Sequence, residues 1–204
     1  MPKEAFYRLG ESKKSQLDQV LFNVFSANHI SQVKVADIVS QMNMARGSFY
    51  NYFEDLADAH EYVVRDKYMK LHRKIMEFIY QKQTDLFAGI EDYLRWISNL
   101  DEDGQDFKDM VFLLTNDSLR SYKRIPIAAN SENSQYQMID SWMKIVDENN
   151  FTRIQTKEEG MTFLFFLMEL VTNCMKTYLA NGWNESQLIY DYQLKVSWLK
   201  SGIL

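Results

Sequence analysis

Apolar residues recur along this chain at spacings of three and four, and runs that alternate every second residue are lacking. Leu17, Val20, Leu21, Val24 and Phe25 make the first stripe, Val35, Ile38 and Val39 a second, and Phe49, Tyr50 and Phe53 a third. A long helix is predicted from about Leu56 to Tyr80, with Asp55 and Asp58 suited to its N-cap and first turn. Leu86, Ile90, Tyr93, Leu94 and Ile97 mark a helix over 84–100, ended by Asp101-Glu102-Asp103-Gly104. Phe107, Met110, Val111 and Leu114 mark another over 106–121. Residues 123–130, with Pro126, form a connection. A helix over 131–148 carries Tyr136, Ile139, Trp142, Met143 and Val146 and stops at Asn149-Asn150. Thr156 and Glu159 make a capping box for a helix to about Ala180, stopped by Asn181-Gly182. Asn184, with Gln187 three residues on, caps a last helix to about Lys200. The expected fold class is therefore all-α.

The turn between the second and third stripes is Met42-Asn43-Met44. The chain must reverse there, and Asn tolerates the left-handed conformation better than most residues. Two short helices across a tight turn are the layout of a helix-turn-helix, whose second helix enters the major groove of DNA. Two such helices cannot bury a core alone, and the stripe at 17–25 supplies the third.

Val24-Phe25, Val35-Ala36-Asp37-Ile38 and Arg46-Gly47-Ser48-Phe49-Tyr50-Asn51-Tyr52-Phe53 resemble the tetracycline-repressor (TetR) family of transcriptional regulators. The resemblance covers roughly residues 12–60. It implies a helix-turn-helix DNA-binding domain at 1–54, followed by a helical effector-binding and dimerisation domain at 55–204. By the resemblance, Ser48, Tyr50 and Tyr52 correspond to positions that touch phosphate or base, and Ala45, Arg46, Gly47 and Asn51 complete the expected DNA-binding residues of this helix. Five residues depart from the family pattern. Val33-Lys34 stands where Thr or Ser is usual, Asn43 where Gly is, Ala45 where Ser is, and Leu56 where Lys is. Fewer neutral phosphate contacts then remain, and Lys34 and Arg46 take more of the load.

Charge adds a modest signal. The net charge is −5, yet residues 1–53 hold six cations, Lys3, Arg8, Lys13, Lys14, Lys34 and Arg46, against four anions. A mildly basic end on an acidic body can orient a protein on DNA, with Lys13 and Lys14 as a backbone-contacting arm. Arg46, in the first turn of its helix, is disfavoured by the helix dipole. A phosphate or guanine acceptor offsets that mismatch, and Asn51 can read adenine. The alternative for these residues is an ordinary solvated surface, and for Phe53 it is core.

A hydrophobic content of 46% argues against disorder. The single Cys174 excludes an intrachain disulfide and fits a reducing cytoplasm. The first residues lack the apolar segment of a signal peptide, and Met161–Val171 is too short a run to span a membrane, so no membrane partner is expected.

The helix after Thr156 is apolar nearly all round, and the last helix adds a further stripe. A two-fold homodimer buries both. Its expected interface is Leu164, Met168, Val171, Met175, Leu188, Tyr192, Val196 and Leu199. Monomeric core packing is the alternative. The middle helices are rich in Met and aromatic residues, which are usually core but collectively suit an adaptable pocket. TetR-like proteins bind small molecules in this region. Trp96, Phe112, Trp142 and Phe165 are the expected lining for an apolar or aromatic effector.

No metal-ligand spacing, phosphate loop or nucleophile motif occurs, so neither cofactor nor enzymatic activity is expected. The function expected is a ligand-responsive regulator, most simply a repressor, on a pseudo-palindromic operator. A helical ligand-binding or protein-interaction module with a degenerate DNA face is the competing reading.

Overall fold

A computed structural model describes residues 1–116 and 134–201, with side chains of the second stretch from 139 onward. Among the described residues there are ten α-helices and no strand. They are α1 (Glu4–Tyr7), α2 (Glu11–Ala27), α3 (Val35–Gln41), α4 (Arg46–Tyr52), α5 (Leu56–Lys82), α6 (Leu86–Ser98), α7 (Gln105–Thr115), α8 (Ser134–Glu148), α9 (Lys157–Asn181) and α10 (Glu185–Ser201). A single 3₁₀ turn, Ile30–Gln32, precedes α3. Helix α6 is shorter than its stripe suggested, because Asp85 rather than Thr84 begins it. The end of the helix expected at 106–121, the connection at 123–130 and the start of the one expected at 131–148 lie outside the described residues. Helix α1 was not anticipated: four residues are too few to show a period.

Local chemistry accounts for the helix ends. Asn43, Asn150 and Gly182 all have positive φ, at 46°, 56° and 58°. Each sits just past a helix, and the following N–H reaches back five residues. Met44 bonds the Val39 carbonyl at 3.0 Å, Phe151 that of Val146 at 3.2 Å, and Trp183 that of Tyr178 at 3.1 Å. This is the Schellman closure, and Asn and Gly are the residues that permit it. At the start of α9, Thr156 Oγ1 accepts from the Glu159 N–H at 3.2 Å and Glu159 accepts from the Thr156 N–H at 3.0 Å. Asn184 and Gln187 make the same exchange before α10, both at 3.0 Å. Asp55 caps α5 by accepting from the Asp58 N–H at 2.8 Å.

The chain divides into two compact units, Met1–Lys70 and Leu71–Leu204. Helix α5 begins in the first and ends in the second. The first unit buries Phe6, Leu17, Leu21, Val24, Phe25, Ile38, Phe49, Phe53, Ala59 and Val63. The second builds its core from Leu86, Ile90, Leu94 and Ile97 of α6, Trp142 and Val146 of α8, Leu167 and Cys174 of α9, and Leu188 and Tyr192 of α10. Asn149 stitches this unit, accepting from the Leu86 N–H at 2.7 Å and donating to the Gln83 carbonyl at 3.0 Å. Helix α9 is long and apolar enough, by length and composition, to cross a membrane. Core helices pass the same test, and Leu167, Val171, Cys174 and Met175 are buried in this core.

Helices α5 and α6 meet at Gly89. A Cβ there would lie 2.7 Å from the Ile79 Cα and 3.0 Å from the Phe78 carbonyl oxygen. Both are backbone atoms that cannot swing aside. Gly89→Ala is expected to lower stability by about 1–3 kcal/mol, the range for overpacking. Gly47→Ala, with nothing within 4 Å of the added carbon, serves as the neutral control. Urea denaturation midpoints of the two variants check this.

Candidate nucleic-acid interface

Helix α4 is divided cleanly along its length. Phe49, Tyr52 and Phe53, at i, i+3 and i+4, face inward, while Arg46, Gly47, Tyr50 and Asn51 are exposed on the opposite side. The Phe53 ring stacks obliquely on Phe49, with centroids 5.5 Å apart, and on Phe6 at 5.2 Å. Tyr62 of α5 closes the cluster at 4.8 Å from Phe6 and 5.9 Å from Phe53. The α3–α4 turn adds the Schellman closure at Asn43. Lys34 lies exposed at the start of α3, its N–H held by Asp37 at 2.9 Å. Ala45, at the N-cap of α4, is exposed and offers no side-chain cap.

The exposed face thus brings together Arg46, Gly47, Tyr50 and Asn51, with Ala45 at its edge. Ser48 is half-buried beside them. Tyr52 does not belong there. It is 9% exposed and packs edge-on against Phe6 at 6.5 Å, because α4 must turn one side to the core and position 52 falls on it. Lys13 is exposed on α2, but Lys14 folds inward, its ammonium 5.6 Å from the centre of the Phe6 ring. Behind this surface the Tyr62 hydroxyl donates to Asp18 at 2.9 Å. Burial raises the Asp18 carboxyl above its ordinary range, and the Tyr62 bond works against that.

In the second unit, a groove of about 430 Å³ runs between α5, α8 and α9, lined by His72, Arg73, Met76, Glu77, Tyr80, Ser141, Trp142 and Leu164. Of the four expected pocket residues, Trp142 alone lines it. Trp142 donates its indole N–H to the Gly160 carbonyl at 2.7 Å. Trp96 packs on Tyr93 and Phe78 instead, at 5.7 and 6.2 Å. Phe112 is buried, and Phe165, half-buried, is not among the lining residues. Burial lowers the His72 pKa below its ordinary value, which favours the neutral ring. Among the described residues no three His, Cys, Asp or Glu side chains converge to hold a metal ion.

The expected dimer residues also divide. Val171, Met175, Leu188, Tyr192 and Val196 are buried within the subunit, packed in its own core. Tyr192, 1% exposed, donates its hydroxyl to the Phe87 carbonyl at 2.8 Å. These residues form the inner stripe of α9 and α10, and the core of one chain takes them. Leu164 lines the groove, Met168 is half-buried, and Leu199 is exposed. With Leu199, the large apolar side chains left exposed on α9 and α10 are Phe166, Tyr190, Leu194 and Trp198.

The model of the tetracycline repressor-like C-terminal domain matches residues 85–203. The chain belongs to the TetR family. Two solved structures are similar to it along nearly their whole length. One is a TetR family transcriptional regulator from Chloroflexus aurantiacus J-10-FL, 22% identical, TM-score 0.41, covering 98% of this chain and 91% of that one. The other is the fatty acid degradation regulator FadR from Bacillus halodurans, 15% identical, TM-score 0.48, covering 96% and 98%. No curated protein matches the chain.

This TetR-family chain is a transcription regulator. Its family match lies in the C-terminal part, whereas the motif resemblance lies at 12–60. Periodicity missed the outward stripe Tyr190, Leu194 and Trp198. It has the same four-residue spacing as Leu188, Tyr192 and Val196, offset by two positions. The groove residues His72, Arg73 and Tyr80 were missed too, since polar and apolar positions mix along that part of α5.

Arg46 and Tyr52 make opposing test cases. Arg46→Ala removes an exposed cation, so folding is expected to be unchanged while DNA affinity falls by about 1–3 kcal/mol if it reads a base. Tyr52→Ala opens a cavity in the aromatic cluster and is expected to cost about 3–5 kcal/mol of stability. Thermal melts and mobility shifts on both variants separate the two roles. A normally stable Tyr52→Ala protein would refute the core assignment.

Proposed function

We propose that this regulator is a homodimeric, ligand-responsive repressor that binds a pseudo-palindromic DNA operator. Residues 1–54 would be its DNA-binding domain and residues 55–204 its effector-binding and dimerisation domain, in a cytoplasmic protein that acts without catalysis. The observation that carries the reading is the two-sided helix α4. Phe49 and Phe53 anchor it, and Arg46, Gly47, Tyr50 and Asn51 are left exposed as one face. Gly47 has open space around it, so a duplex can approach the backbone there. Arg46 can pair with guanine or phosphate, Asn51 with adenine, and the Tyr50 hydroxyl with phosphate. In a two-fold dimer the paired α4 helices would enter successive major grooves, about 34–36 Å apart.

The groove between α5, α8 and α9 supports an effector site. Met76, Trp142, Tyr80 and Leu164 supply apolar wall, and Arg73 and Glu77 supply charge at its margin. The effector class that fits is apolar or aromatic. Effector binding would favour a conformation with weaker operator affinity, a coupling of about 1–3 kcal/mol. Selection of bound genomic fragments followed by mobility shift tests the DNA half. One sequence is expected to be enriched, with dyad symmetry. Compounds that raise the melting temperature are expected to release the operator complex, since a ligand shifts an equilibrium only by preferring one state. Failure to enrich any fragment would leave the helical ligand-binding module as the better reading.

Homodimerisation is supported by the outward stripe of α10. Tyr190 is 68% exposed and Trp198 50%, with Leu194 between them and Phe166 exposed on α9. Aromatic side chains left outside in this number are what an interface core would bury. Leu194→Glu or Trp198→Glu is expected to give a folded monomer by sedimentation, while Leu188→Glu, at 0% exposure, is expected to unfold the chain. A wild-type chain that stays monomeric at micromolar concentration would refute the dimer.

A further inference from the structure

Helix α4 has seven residues and no glycine at its end. Its last carbonyls are orphans by construction. The Phe53 N–H bonds the Phe49 carbonyl, but the Glu54 N–H, which would serve Tyr50 in a longer helix, goes to the Asp58 carboxylate at 3.0 Å. The missing donors come from residue 3. The Lys3 backbone N–H bonds the Tyr52 carbonyl at 2.8 Å, and the Lys3 ammonium bonds the Tyr50 carbonyl at 2.9 Å. One residue near the start of the chain thus caps the C-terminal end of α4 twice. Phe6, 0% exposed and wedged among Tyr52, Phe53 and Tyr62, holds α1 in place to do so.

The cap leaves the charge on the surface. Lys3 is exposed, and among the described residues it makes no ion pair. Asp58, the acid close enough to feel it, has both oxygens engaged by the Glu54 N–H and the chain's amino terminus. An ammonium has three donors, and the Tyr50 carbonyl takes one. The remaining two are carried at the carbonyl of Tyr50, itself a member of the exposed face of α4. A duplex that meets Arg46, Tyr50 and Asn51 would bring a phosphate to that end of the helix.

We propose that Lys3 is a backbone phosphate contact as well as the cap of α4, so that the segment 1–9 belongs to the DNA-binding surface. The proposal rests on the DNA-binding reading of α4. It differs from a purely structural role in one measurable respect. A cation that neutralises a phosphate releases a counterion, and the logarithm of affinity then falls with the logarithm of salt by about 0.9 per contact. The backbone bond to Tyr52 survives any side-chain change, and Phe6 keeps α1 docked.

The test uses the full chain and the operator fragment it selects, with affinity measured between 50 and 200 mM salt. Lys3→Met is expected to melt within about 4 °C of wild type. It is expected to bind more weakly at low salt and to show a salt slope smaller by about 0.9. Over that range wild type would then lose about 3.5-fold more affinity than the variant. Lys3→Arg is expected to restore the slope, because it restores the charge. Weaker binding of Lys3→Met with an unchanged slope would overturn the phosphate contact and leave Lys3 as a cap only. Unchanged affinity would overturn it as well. A wild-type chain that selects no fragment would overturn the DNA-binding reading, and this proposal with it.

Discussion

A helix of seven residues is too short to hold itself together in water. Everything at the DNA-facing end of this chain follows from how α4 is nonetheless kept rigid. Phe49 and Phe53, both at 0% exposure, anchor it from behind in a cluster of rings that includes Phe6 and Tyr62. Asn43 closes the preceding helix, which fixes the direction from which α4 starts. Lys3 satisfies the carbonyls at its other end. With the inner side immobilised at three places, the outer side can be polar and loosely packed without loss of order. That is the condition under which Arg46, Tyr50 and Asn51 present a defined pattern to a partner.

The second unit solves a different problem. Helices α9 and α10 carry apolar side chains on more than one side, and a single chain can cover only part of that surface. The inward stripe of Leu188, Tyr192 and Val196 goes to the core, where the Tyr192 hydroxyl finds the Phe87 carbonyl. Cys174 sits in the same core, beside Lys195 and Asp191 at 3.7 Å each, and burial pushes its thiol up to about 11. It is protonated at neutral pH and a poor nucleophile, which fits a packing role. The outward stripe and the groove beside Trp142 are what remain for interaction.

The two lines of family evidence come from opposite ends of the chain and rest on different physics. At residues 12–60, a specific run of side chains is demanded by a tight geometry: aromatic anchors, a turn residue, a small residue on the outer face. In the C-terminal part, the match covers residues 85–203, the helices α6 to α10 that build the second core.

The amino-acid sequence by itself determined most of the elements and several of their ends, though not α1 or the exact bounds of α6. Asn43, Asn150, Gly182, Thr156 and Asn184 act within a few residues of themselves, so their roles are legible without knowing the fold. Periodicity likewise marked α2 to α6 and grouped Phe49 and Phe53, which are core, with Tyr50, which the structure leaves exposed. Tertiary structure alone decided which of two competing apolar stripes on α10 turns inward, because both have the same spacing and only the space beside α6 and α9 chooses between them. It placed Tyr52 in the core and Trp96 against Tyr93, since rings on a half-buried helix go where neighbouring elements leave room. It also joined Lys3 to Tyr50 across 47 positions of chain. No local pattern encodes such a contact, because the carbonyl it serves is orphaned only once α4 stops where it does.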